Sequence, residues 1–147
     1  MMTKQQDLGA ILITGGSRGI GAATARLAAK QGYLVAINYH KNDQAAAALV
    51  VEVEKAGGRA TAFKADVGNE IEVSALFKAV DAQLGPLTAL VNNAGILEAQ
   101  ARVEEISFAR LERIFRTNVL SYFLCAKEAI KRMSYAFKKP HLLSLRA

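Results

Sequence analysis

The chain has 147 residues, 52% of them hydrophobic and 22% charged, with only two prolines, which suits one globular α/β domain and excludes a disordered chain. Its single cysteine, Cys125, excludes an internal disulfide framework and predicts a reducing, cytoplasmic location, and no run approaches the roughly 20 apolar residues of a membrane span. The whole net charge of +6 comes from residues 101–147, where basic residues are mixed with glutamates, so we interpret it as a solvated helical face rather than a nucleic-acid surface.

Short apolar runs and helical patterns alternate along the chain. The apolar runs predict buried strands at 8–14, 33–39, 59–66 and 87–93. The helical patterns predict amphipathic helices at 19–32, 43–58, 69–85 and 107–133. Asn42 or Asp43 is the expected N-cap of the second helix, and Ser107 that of the last. This βαβαβαβα order predicts a parallel sheet with right-handed crossovers and helices on both faces.

Apolar residues recur at helical spacing in three of these helices, and those of the helices at 19–32 and 69–85 predict the face that is buried. In the helix at 19–32 the expected inward stripe is Ile20, Ala23, Leu27 and Ala28. In the helix at 69–85 it is Ile71, Leu76, Phe77, Val80 and Leu84. In the long helix the apolar residues at helical spacing are Phe108, Leu111, Phe115, Val119, Tyr122, Ala126, Ile130 and Met133.

The turn after the first strand carries the clearest chemical signal. Residues 14–21 read TGGSRGIG and lead straight into a helix, and Gly15, Gly19 and Gly21 remove the Cβ atoms that would keep a ligand from the backbone. The helix N-terminus then presents N–H groups and the positive end of its dipole to a phosphate. An ordinary tight turn is the alternative, but strand, glycine turn and helix together favour a dinucleotide-binding unit.

Three later stretches agree with that turn in order and spacing. Asp66-Val67 ends the third strand, the sequence NNAG at 92–95 follows the fourth, and Asn118 lies in the long helix. Together the four motifs resemble those of the short-chain dehydrogenases/reductases, over about residues 9–133. The resemblance implies an α/β fold with a Rossmann-like doubly wound parallel sheet, here incomplete, with about four strands and flanking helices. It implies one NAD(P)-binding domain over 1–147, with an atypical tail at 134–147.

The resemblance also implies a role for each motif residue. The residues that would hold the pyrophosphate and the adenosine ribose are Gly15, Ser17, Arg18, Gly19, Ile20 and Gly21. Asp66 would bind the adenine amino group, with the backbone of Val67 beside it, although a helix-cap role for Asp66 stays open. The residues that would line the ribose side of the cofactor are Asn93, Ala94 and Gly95, unless 92–95 is a simple turn, and Asn92 would brace strands. Asn118 would be a catalytic residue that keeps a water for proton relay.

The end of the second strand bears on the choice of cofactor. An NAD-preferring site usually places Asp or Glu there, whereas this chain has Asn38, Tyr39, His40 and Lys41. Arg18 supplies a cation from the glycine turn, which suits a negative 2′-phosphate. We therefore predict NADP(H) rather than NAD(H), with Arg18 and Asn38 as the main determinants and Tyr39 among the binding residues. His40 and Lys41 are alternatively plain solvated residues.

The catalytic half of the family pattern does not fit the end of the chain. In the family, hydride passes between nicotinamide and a carbonyl or alcohol carbon, with help from a serine and a Tyr-xxx-Lys pair that follow a fifth strand. Tyr135 and Lys139 have that spacing, but too few residues separate them from Asn118 for another strand, and Pro140 interrupts their helix. We interpret the pair as a coincidence. The chain is then expected to match the first half to three-fifths of a family member, as a frameshift or early stop would produce.

Two functions stay open on the sequence alone. One is an NADP(H)-dependent oxidoreductase that acts on a small carbonyl or alcohol. The other is a catalytically inactive nucleotide-binding or dimerising remnant, which we favour for these 147 residues. In both, helix 107–133 is expected to pair with a second copy in a homo-oligomer, and the fourth strand is expected to be an exposed apolar edge. We expect no metal, nucleic acid or membrane as a partner.

Overall fold

The computed structural model describes residues 8–136, in which strands and helices alternate along the chain. The first seven elements are β1 (Ala10–Ile13), α1 (Gly19–Gln31), β2 (Leu34–Tyr39), α2 (Asp43–Lys55), β3 (Arg59–Lys64), α3 (Glu70–Leu84) and β4 (Leu87–Val91). A loop with a 3-10 turn at Val103–Glu105 follows. The chain then forms α4 (Phe108–Phe115), a π-helical turn (Arg116–Leu120) and α5 (Ser121–Ala136).

The four strands form one parallel sheet in the order β3-β2-β1-β4. The chain builds outward from β1 to β3 and then crosses back, so that β4 lies on the other side of β1. Such a reversal of strand order opens a crevice at the carboxyl ends of β1 and β4, where α/β proteins bind ligands. The predicted Rossmann-like parallel sheet of four strands is confirmed. Within the described residues β4 pairs with β1 alone and is one edge of the sheet.

The sheet is covered on both faces by helices. One apolar cluster joins Ile11 and Ile13 of β1 to α1 and α2. A second joins Ala10 and Leu12 to α3 and α5, with Phe77 at its centre and less than 1% exposed. All four residues of β1 are buried, as expected of a strand that is covered on both sides.

Four predicted inward positions are wrong, three in α1, where Ala23 is also exposed, and one in α3. In α1, Ile20 is 80% exposed and Leu27 is 58% exposed. The buried residues of this helix are instead Gly21, Ala22, Ala25, Ala28 and Ala29. These small side chains let the helix lie close to the sheet, so the larger apolar residues are left outside. Ile71 in the first turn of α3 is likewise 81% exposed, whereas Leu76, Phe77 and Val80 are buried as predicted.

The helix N-termini are capped by short polar side chains, with one exception. Asn42 accepts a hydrogen bond from the Ala45 amide at 2.9 Å, which decides between Asn42 and Asp43 as the cap of α2. Asn69 caps α3, and Ser107 caps α4 as predicted. At α1 the N-cap residue is Arg18, whose side chain makes no capping hydrogen bond.

The long helix predicted for 107–133 is interrupted by the π-helical turn, which the apolar spacing did not indicate. Ser121 closes this turn by donating a hydrogen bond from Oγ to the Thr117 carbonyl at 2.5 Å. Beyond it, α5 packs inward through Cys125 and Ala129, and burial raises the pKa of the Cys125 thiol to about 12. Among residues 8–136, no helix combines the length and the apolar character that a membrane crossing requires.

Candidate functional site

The glycine turn, residues 14–18, lies in the crevice between β1 and β4. Gly15 has a φ of +60°, and a Cβ there would come within 2.9 Å of the Ala94 Cα atom. A Cβ on Gly21 would lie 2.5 Å from the Gly15 carbonyl oxygen and 2.6 Å from Nδ2 of Asn93. Both glycines are therefore required for the turn to pack against α1 and against the loop after β4.

Thr14 joins the glycine turn to the NNAG motif. Its Oγ1 accepts hydrogen bonds from the backbone amides of Asn93 and Ala94, each at 3.0 Å. Asn93 in turn donates from Nδ2 to the carbonyl oxygens of Thr14 and Gly15, also at 3.0 Å. Two motifs about 80 residues apart thus form one hydrogen-bonded unit at the carboxyl ends of β1 and β4. The sequence interpretation gave Thr14 no role, although a hydroxyl at the end of a buried strand is a signal for such a partner.

Asn38, at the end of β2, holds the glycine turn in place by hydrogen bonds from inside the protein. Its side chain is 1% exposed, its Oδ1 accepts from the Gly15 amide at 3.2 Å, and its Nδ2 donates to the Ala65 carbonyl at 3.1 Å. Its own carbonyl accepts from the Gly16 amide at 2.8 Å. Because both polar ends of the side chain are engaged inside the protein, we assign Asn38 the support of the turn rather than contact with a phosphate.

The N-terminus of α1 is open to solvent and electrostatically positive. Arg18 stands at the N-cap position in an extended conformation, its side chain makes no capping hydrogen bond, and the first turn of the helix holds no acidic residue. Arg18, Gly19 and Ile20 are exposed, and nothing among residues 8–136 lies within 4 Å of the position that a Gly19 Cβ would occupy. At α2 and α3 an asparagine side chain accepts hydrogen bonds from the first amides of the helix. At α1 these amides have no such partner in the N-cap side chain, so this helix end can bind an anion.

Asp66 and Val67 lie at the end of β3, on the way to α3. The Asp66 Oδ1 atom accepts from the Gly68 amide at 2.9 Å, while its backbone amide donates to Oε2 of Glu72 at 2.7 Å. Asn69 caps α3, so the alternative that Asp66 is the helix cap is wrong. Val67 is 4% exposed and anchors this segment in the core.

Asn118 lies within the π-helical turn and binds the loop after β4. Its Oδ1 accepts from the Ile96 amide at 2.7 Å, and its Nδ2 donates to the Ile96 carbonyl at 2.9 Å. Its Oδ1 would lie 3.6 Å from a Cβ on Gly95. The structure thus brings Asn118 to the predicted NNAG residues, and π-helical turns are frequent at functional sites. Its catalytic role stays a prediction.

Asn92 directly follows β4 and contacts α5. Its Nδ2 donates to the Tyr122 carbonyl at 3.2 Å, whereas its Oδ1 is buried and has no hydrogen-bond partner within the part of the chain that is described.

A carboxylate lies next to the end of β2, which the sequence interpretation did not foresee. The Tyr39 hydroxyl donates to Oδ1 of Asp43 at 2.9 Å, and the Lys64 ammonium lies 3.2 Å from both oxygens of the same carboxylate. The hydrogen bond from Tyr39 and the nearby Lys64 charge lower the pKa of Asp43. The same bond raises the pKa of Tyr39. Residues 38–41 contain no acid, and the carboxylate comes instead from Asp43 at the start of α2.

The Tyr135–Lys139 pair lies only partly within the described residues. Tyr135 lies in the last turn of α5, and Lys139 and Pro140 lie outside the described residues. The interpretation of the Tyr135–Lys139 spacing as a coincidence stays a prediction.

Comparisons with known proteins agree with this geometry. Residues 9–140 match the family model described as short chain dehydrogenase, which runs a few residues past the boundary expected at 133. An uncharacterized oxidoreductase of Escherichia coli, YgfF, is 51% identical over 84% of this chain and 50% of its own length. A 3beta-hydroxysteroid dehydrogenase of Mediterraneibacter gnavus is 39% identical over 84% of this chain and 44% of its own length.

Solved structures resemble the chain over a similar extent. A short chain dehydrogenase from Burkholderia cenocepacia in complex with NADP aligns with a TM-score of 0.82 and 34% identity, over 88% of this chain and 53% of that one. A short-chain dehydrogenase/reductase mutant from Serratia marcescens aligns with a TM-score of 0.81 and 35% identity, over 85% of this chain and 51% of that one. The chain spans about half the length of the relatives that it matches.

Proposed function

The chain belongs to the short-chain dehydrogenase family, and we propose on that premise that it binds NADP(H) at the glycine turn. In this proposal it forms the nucleotide-binding part of an oxidoreductase. Bound NADP(H) would supply the hydride that is exchanged with a carbonyl or secondary alcohol carbon. The observation that carries the proposal is the uncapped N-terminus of α1, held behind a turn that Thr14, Asn38 and Asn93 fix in place.

The residues of the turn suit a pyrophosphate. An uncapped helix end without acidic neighbours favours a doubly negative group, and the missing Cβ of Gly19 leaves room for it against the backbone. Two further residues are proposed to line the pyrophosphate site. They are Ser17, which is half-buried, and Ile20, which is exposed in the first turn of α1. Because hydrogen bonds already hold the turn in place, binding of the cofactor is expected to cost little conformational entropy.

Different residues are proposed to bind the adenine and the 2′-phosphate of the cofactor. Asp66 would accept from the adenine amino group through its carboxylate, with the backbone of Val67 beside it. Arg18 would pair with a 2′-phosphate, because its guanidinium is exposed at the mouth of the turn and can bind phosphate through two parallel hydrogen bonds. The relative from Burkholderia cenocepacia whose structure contains NADP supports the choice of the phosphorylated cofactor.

On the nicotinamide side, Asn93, Ala94 and Gly95 are proposed to line the cofactor ribose. Asn118 would serve this region by holding the Ile96 backbone through two hydrogen bonds, which fixes the loop after β4. In this proposal its side chain positions the loop, and any proton relay would use a water bound nearby.

A second candidate function is that of a nucleotide-binding or dimerising module without turnover. The exposed apolar side chains of α4 and α5 favour it, since Phe108, Phe123 and Ile130 are each more than 60% exposed. In this reading the same surface pairs two copies of the chain.

Titration of NADPH into the purified chain, followed by cofactor fluorescence, tests the binding proposal. Arg18→Met is expected to weaken NADPH binding about tenfold and NADH binding far less, because only NADPH offers the 2′-phosphate. Lys30→Met is the matched control, since it removes an exposed cation from the last turn of the same helix. Equal losses in both variants would contradict the role of Arg18.

Turnover separates the two candidate functions. NADPH oxidation by the purified chain in the presence of a panel of small carbonyl compounds would favour the oxidoreductase. Tight NADPH binding without oxidation would favour the module.

A further inference from the structure

Three side chains from three elements converge just beyond the end of β2. Tyr39 is the last residue of β2 and Lys64 the last of β3, and the strand register places them directly opposite each other. Residues opposite each other in neighbouring strands project to the same face of the sheet. Asp43, the first residue of α2, lies against both of them. We call these residues the Asp43 cluster.

Among the described residues, the hydrogen bonds of the cluster leave one donor of Lys64 unused. The Lys64 ammonium has three N–H donors, and its two contacts of 3.2 Å with the Asp43 oxygens account for two of them. The Lys64 and Asp43 side chains are both more than half exposed, at 57% and 62%. A ligand that arrives from solvent can therefore reach the remaining donor of Lys64 and the carboxylate of Asp43.

The cluster is adjacent to the glycine turn. Asn38, the neighbour of Tyr39 in β2, accepts from the Gly15 amide through its side chain and from the Gly16 amide through its backbone. The turn continues to Arg18, which is exposed. The Asp43 cluster and Arg18 therefore flank the same carboxyl edge of the sheet, where the adenosine ribose is proposed to bind.

We infer that Lys64 is a second cationic group for the 2′-phosphate of NADP(H), and that Asp43 limits the preference for this cofactor over NAD(H). The inference rests on the proposed function of the glycine turn. A 2′-phosphate only accepts hydrogen bonds and is negative, so it is attracted by Lys64 and repelled by Asp43. The 2′-hydroxyl of NAD(H) is neutral and can donate to Asp43. The two side chains thus act in opposite directions on the choice between the cofactors.

Dissociation constants for NADPH and NADH, measured by cofactor fluorescence at low ionic strength, test the inference. Asp43→Asn keeps the shape of the side chain and removes its charge, and it is expected to raise the NADPH-to-NADH affinity ratio about three- to tenfold. Lys64→Met keeps much of the apolar stem and is expected to lower the ratio by a similar factor. Adenosine 2′,5′-bisphosphate and AMP, titrated in parallel, should show the same shifts, because they carry the adenosine end alone.

The chain offers a matched control on the same helix. Arg26 and Glu52 form an exposed ion pair between α1 and α2, with Nε 2.6 Å from Oε1, away from the crevice. Glu52→Gln should leave the ratio unchanged. Circular dichroism melting of each variant verifies that it is folded, and the opposite directions expected for Asp43→Asn and Lys64→Met distinguish charge from general damage.

The outcomes separate the inference from its premise. If the chain binds both cofactors but Asp43→Asn and Lys64→Met change the ratio no more than Glu52→Gln does, the inference is overturned and the proposed function stands. If the unmodified chain binds neither NADPH nor NADH, the proposed function fails, and the inference fails with it.

Discussion

Two buried polar side chains hold the glycine turn in position. Thr14 and Asn38 are each 1% exposed, and together they hydrogen-bond to the turn, to the end of β3 and to the loop after β4. Buried polar groups are costly unless every donor and acceptor is matched. These two residues are therefore a structural requirement for the site, although neither is expected to touch the cofactor through its side chain.

Asn38→Ala is expected to lower the free energy of unfolding by about 2–3 kcal/mol, because the Gly15 amide and the Ala65 carbonyl each lose a buried partner. Urea denaturation measures the change. Asn42→Ala is the control: it removes an exposed cap with a single hydrogen bond and should cost about 1 kcal/mol. A loss for Asn38→Ala no larger than that of the control would show that the buried network is not needed.

At the scale of single elements, α5 is tied to α3 by a cluster of charges. The Arg132 guanidinium donates to Oδ2 of Asp81 at 2.6 Å and to Oε2 of Glu128 at 2.7 Å, and its carbon lies 5.2 Å from the centre of the Phe77 ring. Glu128 also accepts from Lys131 at 2.8 Å. The bonds from Lys131 and Arg132 lower the pKa of Glu128, against the opposing effect of burial.

This cluster predicts an acid-dependent loss of stability. Because the pKa of Glu128 is lower in the folded chain than its ordinary value of 4.5, its contribution is complete above that value and is lost as the pH falls through the folded pKa. Glu128→Gln should therefore destabilise the chain at pH 7 and have a much smaller effect near pH 3, in thermal melts across this range. Glu112→Gln, which breaks an exposed pair with Arg116, should have little effect at either pH. An equal effect of Glu128→Gln at both pH values would contradict the role of its charge.

The elements themselves could be predicted from the sequence to a large degree. Short apolar runs indicated all four strands, and residues such as Asn42 and Ser107 marked helix starts. The inward face of α1 could not be predicted from apolarity, because close packing on the sheet selects alanine over Ile20 and Leu27.

The site was predictable where it consists of adjacent residues and not where it depends on tertiary contacts. The glycine turn and the NNAG motif were visible as contiguous stretches. The pairing of Asp43 with Lys64, 21 residues away, requires the strand register and the position of α2. No residue type marks the π-helical turn at 116–120, since it is held by contacts such as that of Ser121 with the Thr117 carbonyl.

At the scale of the whole molecule, much apolar surface lies outside the two cores. Phe115, Leu120, Phe123 and Ile130 are each more than half exposed on α4, the π-helical turn and α5, and β4 next to them is an edge of the sheet that residues 8–136 form. Exposed apolar surface of this kind marks an interaction site or a tendency to aggregate. The proposed homo-oligomer would cover it.

Phe123→Lys together with Ile130→Lys is expected to shift the chain toward the monomer, because two charges would be buried in the proposed contact. Sedimentation velocity over a range of protein concentrations measures the shift. Leu27→Lys, which changes an exposed apolar residue on α1, should leave the association unchanged. A monomeric unmodified chain, or an equal effect of Leu27→Lys, would contradict pairing through this surface.

The π-helical turn also makes the length of the chain critical at one place. The turn holds one residue more than an α-helical turn does, so if residues 116–120 became α-helical with no residue removed, every later side chain would rotate by about 100° around the axis. Cys125 and Ala129 would then leave the core, and Arg132 would turn away from Asp81. Homologous chains should therefore tolerate insertions and deletions in the exposed loop before α4, whereas a residue should be missing between Arg116 and Cys125 only where a regular α-helix replaces the π-helical turn.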